Sequence, residues 1–219
     1  MQIVPAILES NLDQVAEKLE IIKTDGHFGV VQIDITDGQL VPQLTVTPLD
    51  LVDLDYGQLK LDFHLMTEEP LDYVWELAAQ EPILPVRAVF GQVERMGEQK
   101  AFLQAVRERG WKSGLALDLE TPIDSINENA WTELDEVLLL AVPMGAQGQI
   151  FDSEVLIKAK ELQEEIRARN LEIKISIDGG VKPEQLKELK DLNIDQAVIG
   201  SFLWSGDFDL KADELDTEE

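Results

Sequence analysis

The sequence predicts an α/β fold, a (β/α)8 TIM barrel. Eight short runs are rich in Val, Ile and Leu, amphipathic helical stretches separate most of them, and the repeat of roughly 20–35 residues continues through the chain without a break. Alternating strand and helix patterns build a parallel sheet, because parallel neighbours need a long crossover, and eight parallel strands close into a barrel. A doubly wound open sheet is the alternative; it ranks second because no GxGxxG follows the first run.

In order along the chain, the strand runs fall at 3–8 (IVPAIL), 30–34 (VVQID), 60–65 (KLDFHL) and 84–90 (ILPVRAVF without its first residue). They continue at 113–118 (SGLALD), 136–142 (EVLLLAV), 172–178 (EIKISID) and 196–200 (QAVIG). Helical stretches at 11–23, 98–109 and 153–169 place apolar residues three and four apart, the period that keeps them on one face. Asn11 and Ser153 are expected N-caps, and Pro183 suits the first turn of a helix. One domain is expected over 1–206, followed by a frayed acidic C-terminal tail over 207–219. The segment after Trp204 is too short and acidic to cover strand 8 fully, which leaves room for shielding by a neighbouring subunit.

Composition narrows the partners. The 219 residues carry 44 acids against 18 bases, a net charge of -26. Such a surface repels nucleic acid and anionic lipid, since phosphate backbones are bound by clustered Lys and Arg. No apolar run approaches the ~18 residues that span a bilayer, and no secretory signal pattern opens the chain, so the cytoplasm is the expected compartment. Cysteine is absent, which excludes disulfides and thiolate metal sites.

In a barrel of this kind, polar residues at the C-terminal strand ends face the site. Those residues are Gln32 and Asp34 on strand 2, His64 on strand 3 and Asp178 on strand 7. Side chains two apart share a face, so Gln32 projects with Asp34 and Asp62 with His64. Taken alone, His64 reads as a structural histidine. With Asp34, Asp178 and the carbonyl oxygen of Gln32, it reads as part of a divalent-cation site. Glycine-bearing turns follow strands 6, 7 and 8: Gly145 to Gly148, Gly179-Gly180 and Gly200-Ser201. Glycine lets backbone N–H groups approach an anion, and a phosphate cradle after strands 7 and 8 recurs in these barrels.

These motifs together resemble the ribulose-phosphate 3-epimerase family from about residue 3 to 204. Pro5-Ala6-Ile7-Leu8 resembles its PSIL, and Gln32-Ile33-Asp34-Ile35-Thr36-Asp37-Gly38 its HxDxMDG, with Leu40 to Thr45 following in place of FVPNIT. Asp62-Phe63-His64-Leu65-Met66 resembles DxHLM; Gly114 to Leu117, Thr121-Pro122, Gly148-Gln149, Ile177 to Gly180 and Gly200-Ser201 follow in order. The resemblance implies a barrel of the ribulose-phosphate-binding type and a small phosphorylated sugar as substrate. It implies Asp34 and Asp178 as paired acid and base on opposite faces of a ketose phosphate. It also implies a metal held by these carboxylates and His64 beside an enediolate, with Met66 against that intermediate. The glycine turns (Gly145, Gly148, Gly179, Gly180, Gly200) and Ser201 would hold the phosphate, and the assembly would be a homo-oligomer.

The chain departs from the pattern as a divergent member. Gln32 stands where the family has a metal-binding histidine; a neutral amide oxygen is a weaker ligand than imidazole, so the metal (Zn, Mn, Fe or Mg) is expected to be weakly held or absent. Ala6 replaces the serine of PSIL, and Thr36 and Leu140 replace methionines of the wall. Phe90 is expected near the family's strand-4 histidine, and Met144 to Gln147 replace the loop PGFG. Retention of Asp34, His64 and Asp178 favours an epimerase. The replacements favour a catalytically impaired relative that binds a sugar phosphate. A metal-independent decarboxylase of the DxKxxD type ranks last, because Asp62-Phe63-His64 stands at that place.

Overall fold

The computed structural model describes residues 1–205; the expected acidic tail at 207–219 lies outside them. β1 (Gln2–Ile7) leads into α1 (Leu12–Asp25), where the Asn11 side chain caps the helix by accepting from the Asp13 N–H at 2.8 Å. Gly26, at φ 75°, ends α1 in the left-handed conformation that a side chain would resist. β2 (Val30–Thr36), β3 (Lys60–Met66), α2 (Pro70–Ala79) and β4 (Val86–Gln92) follow. Next come α3 (Gln99–Glu108), β5 (Lys112–Leu117), β6 (Glu136–Leu140) and α4 (Glu154–Ala168). β7 (Lys174–Asp178), α5 (Pro183–Asp191), β8 (Gln196–Ile199) and the single turn α6 (Ser201–Trp204) complete the chain described.

Each strand pairs in parallel with the next, and β1 pairs with β8 from Gln2↔Gln196 to Pro5↔Ile199. That last ladder closes the barrel and rules out the open sheet. Two crossovers carry no α-helix: β2 to β3 has only the 3-10 turn Pro48–Leu51, and β5 to β6 only Ile123–Ser125 and Trp131–Glu133. Prolines and Asx residues break these stretches before an α-helix can nucleate. Ser153 does not cap α4 with its side chain; Asp152 does, its Oδ1 accepting from the Glu154 N–H at 2.9 Å. Pro183 does open α5.

The core has two compartments. Odd-numbered strand residues such as Ile33, Phe63, Leu115 and Ile177 pack outward under the helices, whereas Val4, Ala6, Ala88, Phe90, Ala116, Leu138 and Val198 fill the lumen. This is the period of two expected of a strand, and each large side chain buried this way contributes roughly 1.5–3 kcal/mol. The lumen explains Gly114: the Phe90 ring occupies the space that a side chain there would need.

Strand 4 corrects the span of 84–90 expected from the sequence. It begins at Val86, because Pro85 before it has no N–H to donate to a ladder. Its pairing with β3 then skips a residue, from Leu61↔Val86 to Asp62↔Ala88. Arg87 is the extra residue of this bulge, and its Nε donates to Asp62 Oδ1 at 2.7 Å while Nη2 bonds the other oxygen. Asp62 therefore shares a face with His64 but belongs to a polar layer nearer the barrel floor. That layer continues to Glu136, which accepts from Ser176 Oγ. The Gln196 amide, in the orientation that satisfies both neighbours, donates to Glu136 Oε1 at 3.2 Å and accepts from Arg87.

Candidate active site

β2 and β3 run in register, so Asp34 and His64 are direct partners across adjacent strands. The His64 Nδ1 lies 3.1 Å from Asp34 Oδ1, with both side chains almost fully buried. Asp178 ends β7, three strands away around the barrel through β8 and β1. Its oxygen nevertheless comes within a few ångströms of the other two: one ligand atom from each of Asp34, His64 and Asp178 lies within 4.8 Å of the others. Gln32, one layer below Asp34, joins the two carboxylates. Its Nε2 donates to Asp34 Oδ1 at 2.8 Å and to Asp178 Oδ2 at 2.7 Å.

The electrostatics follow from this crowding. Burial pushes the Asp178 carboxyl well above its usual range, and the neighbouring Asp34 charge adds to the effect. Burial opposes a charged His64, but the hydrogen bond to Asp34 and the charges of Asp34, Asp178 and Glu94 outweigh it and raise its pKa. The site thus favours holding a proton on Asp178 while Asp34 stays tied to His64. Its donor set also suits a divalent cation: two carboxylates and an imidazole whose Nε2 is buried without a partner.

Above this floor lies a pocket of about 590 Å³, its open mouth included. Asp34, His64 and Asp178 form one end, and Met66, Gly145, Gly148, Gly179, Gly180, Gly200 and Ser201 line it with them. Gln32 does not reach the lining; it is 1% exposed and supports the floor from beneath. Ala6 and Leu140 lie on the wall, but Thr36 does not. Gly180 has φ +65° and abuts the Phe151 backbone, so the turn after β7 needs glycine for conformation and for space. Gly145, at φ +83°, lets Val41 of the β2 loop pack against the β6 loop. Gln149 staples that same loop, its Nε2 donating to Pro143 O at 2.7 Å and Ala146 O at 3.0 Å.

Phe90 is not a mouth residue. It sits one layer down in the lumen, and Gln92 takes the end of β4 with its Nε2 3.6 Å from the Met144 sulfur. Sequence reading missed Gln92 because it ended the strand at 90; the alternation 88, 90, 92 was the available signal. The described residues have five buried side-chain polar atoms without a partner, on Thr36, His64, Thr67, Gln92 and Glu94. All five residues lie at or just beyond the C-terminal ends of β2, β3 and β4. The glycine turns occupy the opposite side of the mouth, after β6, β7 and β8.

A sequence profile described as the ribulose-phosphate 3 epimerase family matches residues 2–204. The chain belongs to this family. It is 31% identical to the ribulose-phosphate 3-epimerase of Synechocystis over 93% of this chain and 87% of that one. The Bacillus subtilis enzyme of the same name is also 31% identical, over 93% and 92%; that of Escherichia coli K12 is 29% identical, over 99% and 95%. Among solved structures, a tryptophan synthase α-subunit variant from Pyrococcus furiosus superposes with a TM-score of 0.64 at 14% identity, covering 93% of this chain and 89% of that one. Phosphoribosyl anthranilate isomerase from Thermus thermophilus gives 0.58 at 15%, covering 92% and 88%. At those identities the likeness concerns the barrel alone. Among the described residues, no helix is long and apolar enough to cross a membrane.

Proposed function

We propose that the chain interconverts the C3 epimers of a ketose phosphate, with ribulose 5-phosphate as the first substrate to test. The observation that carries this reading is the meeting of Asp34 and Asp178, from strands on different sides of the lumen, at the floor of a glycine-rimmed pocket. One carboxylate removes the C3 proton, and the C–H electron pair moves toward the C2 carbonyl to give an enediolate. The other, carrying a proton, returns it to C3 from the opposite face, and the two exchange protonation states over one turnover. General acid–base groups of this kind contribute about 10²–10⁴-fold each. Raised proton affinity at Asp178 supports its starting as the acid, with Asp34 as the base.

The glycine turns after β6, β7 and β8 suit the phosphate, because backbone amides supply donors where no Lys or Arg lines the pocket among the described residues. Holding the remote phosphate fixes the reacting carbon between the two acids. Met66 lies beside them as an apolar wall that keeps water from the carbanionic centre. Asp34, His64 and Asp178 would hold a divalent cation, which supplies positive charge beside the developing enediolate.

Solvent deuterium exchange at C3 of ribulose 5-phosphate, followed by NMR with and without Mn²⁺ or Zn²⁺, tests the proposal. Exchange and appearance of the epimer are expected. No exchange with any cation in a folded sample would leave the second reading, a sugar-phosphate-binding relative, which the replacements at Gln32 and Ala6 favour.

A further inference from the structure

We infer that Gln32 is a positioning residue, an amide clamp that holds Asp34 and Asp178 at their working separation whether or not a cation is bound. The inference rests on the acid/base reading above and concerns what keeps that pair together. Two carboxylates brought close in a buried site repel, and something must neutralise or bridge them. Gln32 bridges them through a single nitrogen, which lies 2.8 Å from Asp34 Oδ1 and 2.7 Å from Asp178 Oδ2.

The amide orientation is dictated by these neighbours. Swapping nitrogen and oxygen would set a carbonyl oxygen against both acids at hydrogen-bond distance, and a proton held on Asp178 could serve that contact only, leaving the amide oxygen facing Asp34 Oδ1 acceptor to acceptor. Both N–H bonds of the amide are therefore committed to the acid pair. The nitrogen cannot drift, because Gln32 is buried, its strand is paired in register with β3, and Ala6 of β1 lies alongside. Gln32 is thus turned to donate to the carboxylates rather than to offer its oxygen to a metal. A cation drawn to these carboxylates competes with the amide for their negative charge, even where it takes the oxygens Asp34 Oδ2 and Asp178 Oδ1 that the amide leaves open.

Clamp and ligand predict opposite effects of removing the amide, and calorimetric titration with Mn²⁺ alone separates them. Gln32→Leu frees both carboxylates, so a clamp predicts at least tenfold tighter Mn²⁺ binding than in the wild type. Equal or weaker binding would overturn the inference, since that is the result when a ligand is lost. In chelator-treated protein, the wild type should keep C3 exchange within tenfold of its Mn²⁺-supplemented rate. Gln32→Leu should lose at least a hundredfold in kcat with KM little changed, and Mn²⁺ should restore part of it by bridging the carboxylates instead. Loss of wild-type exchange on chelation, with exchange present in Mn²⁺, would overturn metal-independent positioning. If Gln32→Leu does not fold, Gln32→Asn, which keeps the amide but is one carbon too short to span both acids, carries the same comparison. Failure of the epimerase reading is seen separately, as no exchange by the wild type under any condition, and the calorimetry then still decides the clamp.

Discussion

His64 and Asp34 are register partners on adjacent parallel strands, and this pairing sets the histidine Nδ1 3.1 Å from the aspartate Oδ1. The contact orients the imidazole and leaves its Nε2 as a buried nitrogen with no partner. A ring held this way is ready to accept a cation or a substrate proton. His64→Leu should weaken Mn²⁺ binding by at least about tenfold, the lower end of what even an outer-sphere partner is worth. Calorimetry on the purified variant checks this.

Asp178→Asn keeps the shape and the contact with Gln32 but cannot exchange a proton. Its kcat for C3 epimerisation is expected to fall by about 10²-fold or more. KM should change little, because the glycine turns that would hold the phosphate are untouched. Steady-state kinetics on both epimers give the two parameters.

Gly180→Ala tests the turn after β7. At φ +65° a side chain costs about 1–2 kcal/mol, and here it must also displace the Phe151 backbone. Stability should drop by at least that amount in urea unfolding. KM should rise more than kcat falls if, as proposed, this turn meets the substrate's phosphate rather than its reacting carbon.

Glu136 gives a pH prediction remote from the pocket. Burial raises its carboxyl from 4.5 to about 7, against the Ser176 hydrogen bond and the Arg87 charge that lower it. The folded state then binds a proton more tightly than the unfolded chain. Its contribution is fully present below about pH 4.5 and is lost as pH rises through 7. Glu136→Gln should be stabilised relative to the wild type by roughly 3 kcal/mol at pH 8, with the difference vanishing toward pH 4.5. Urea unfolding of both proteins from pH 4.5 to 8 measures it.

Particular residues separate what was legible in the sequence from what was not. Asp34, His64 and Asp178 could be read as converging because each ends an apolar run, and the period of two sends alternate side chains into the lumen. Gln32 was legible as a member of the group but not in its role: only the position of Asp178 across the barrel shows that its nitrogen spans two acids. Gln92 escaped because the run was ended at 90 although the alternation 88, 90, 92 continues, and Arg87 escaped because it is the extra residue of a bulge that only the pairing with β3 reveals.

By itself, then, the sequence determined the number and order of strands, the inward polar residues of β2, β3 and β7, and the glycine turns, because alternation and backbone freedom are local properties. The tertiary structure decided between the closed barrel and the open sheet, and it alone decided that Asp62 joins Arg87 near the barrel floor and that Gln92 rather than Phe90 ends β4. It also decided which way the Gln32 amide faces. Those outcomes depend on distances between strands far apart in the chain, which are set only when the barrel closes and its side chains compete for the same lumen.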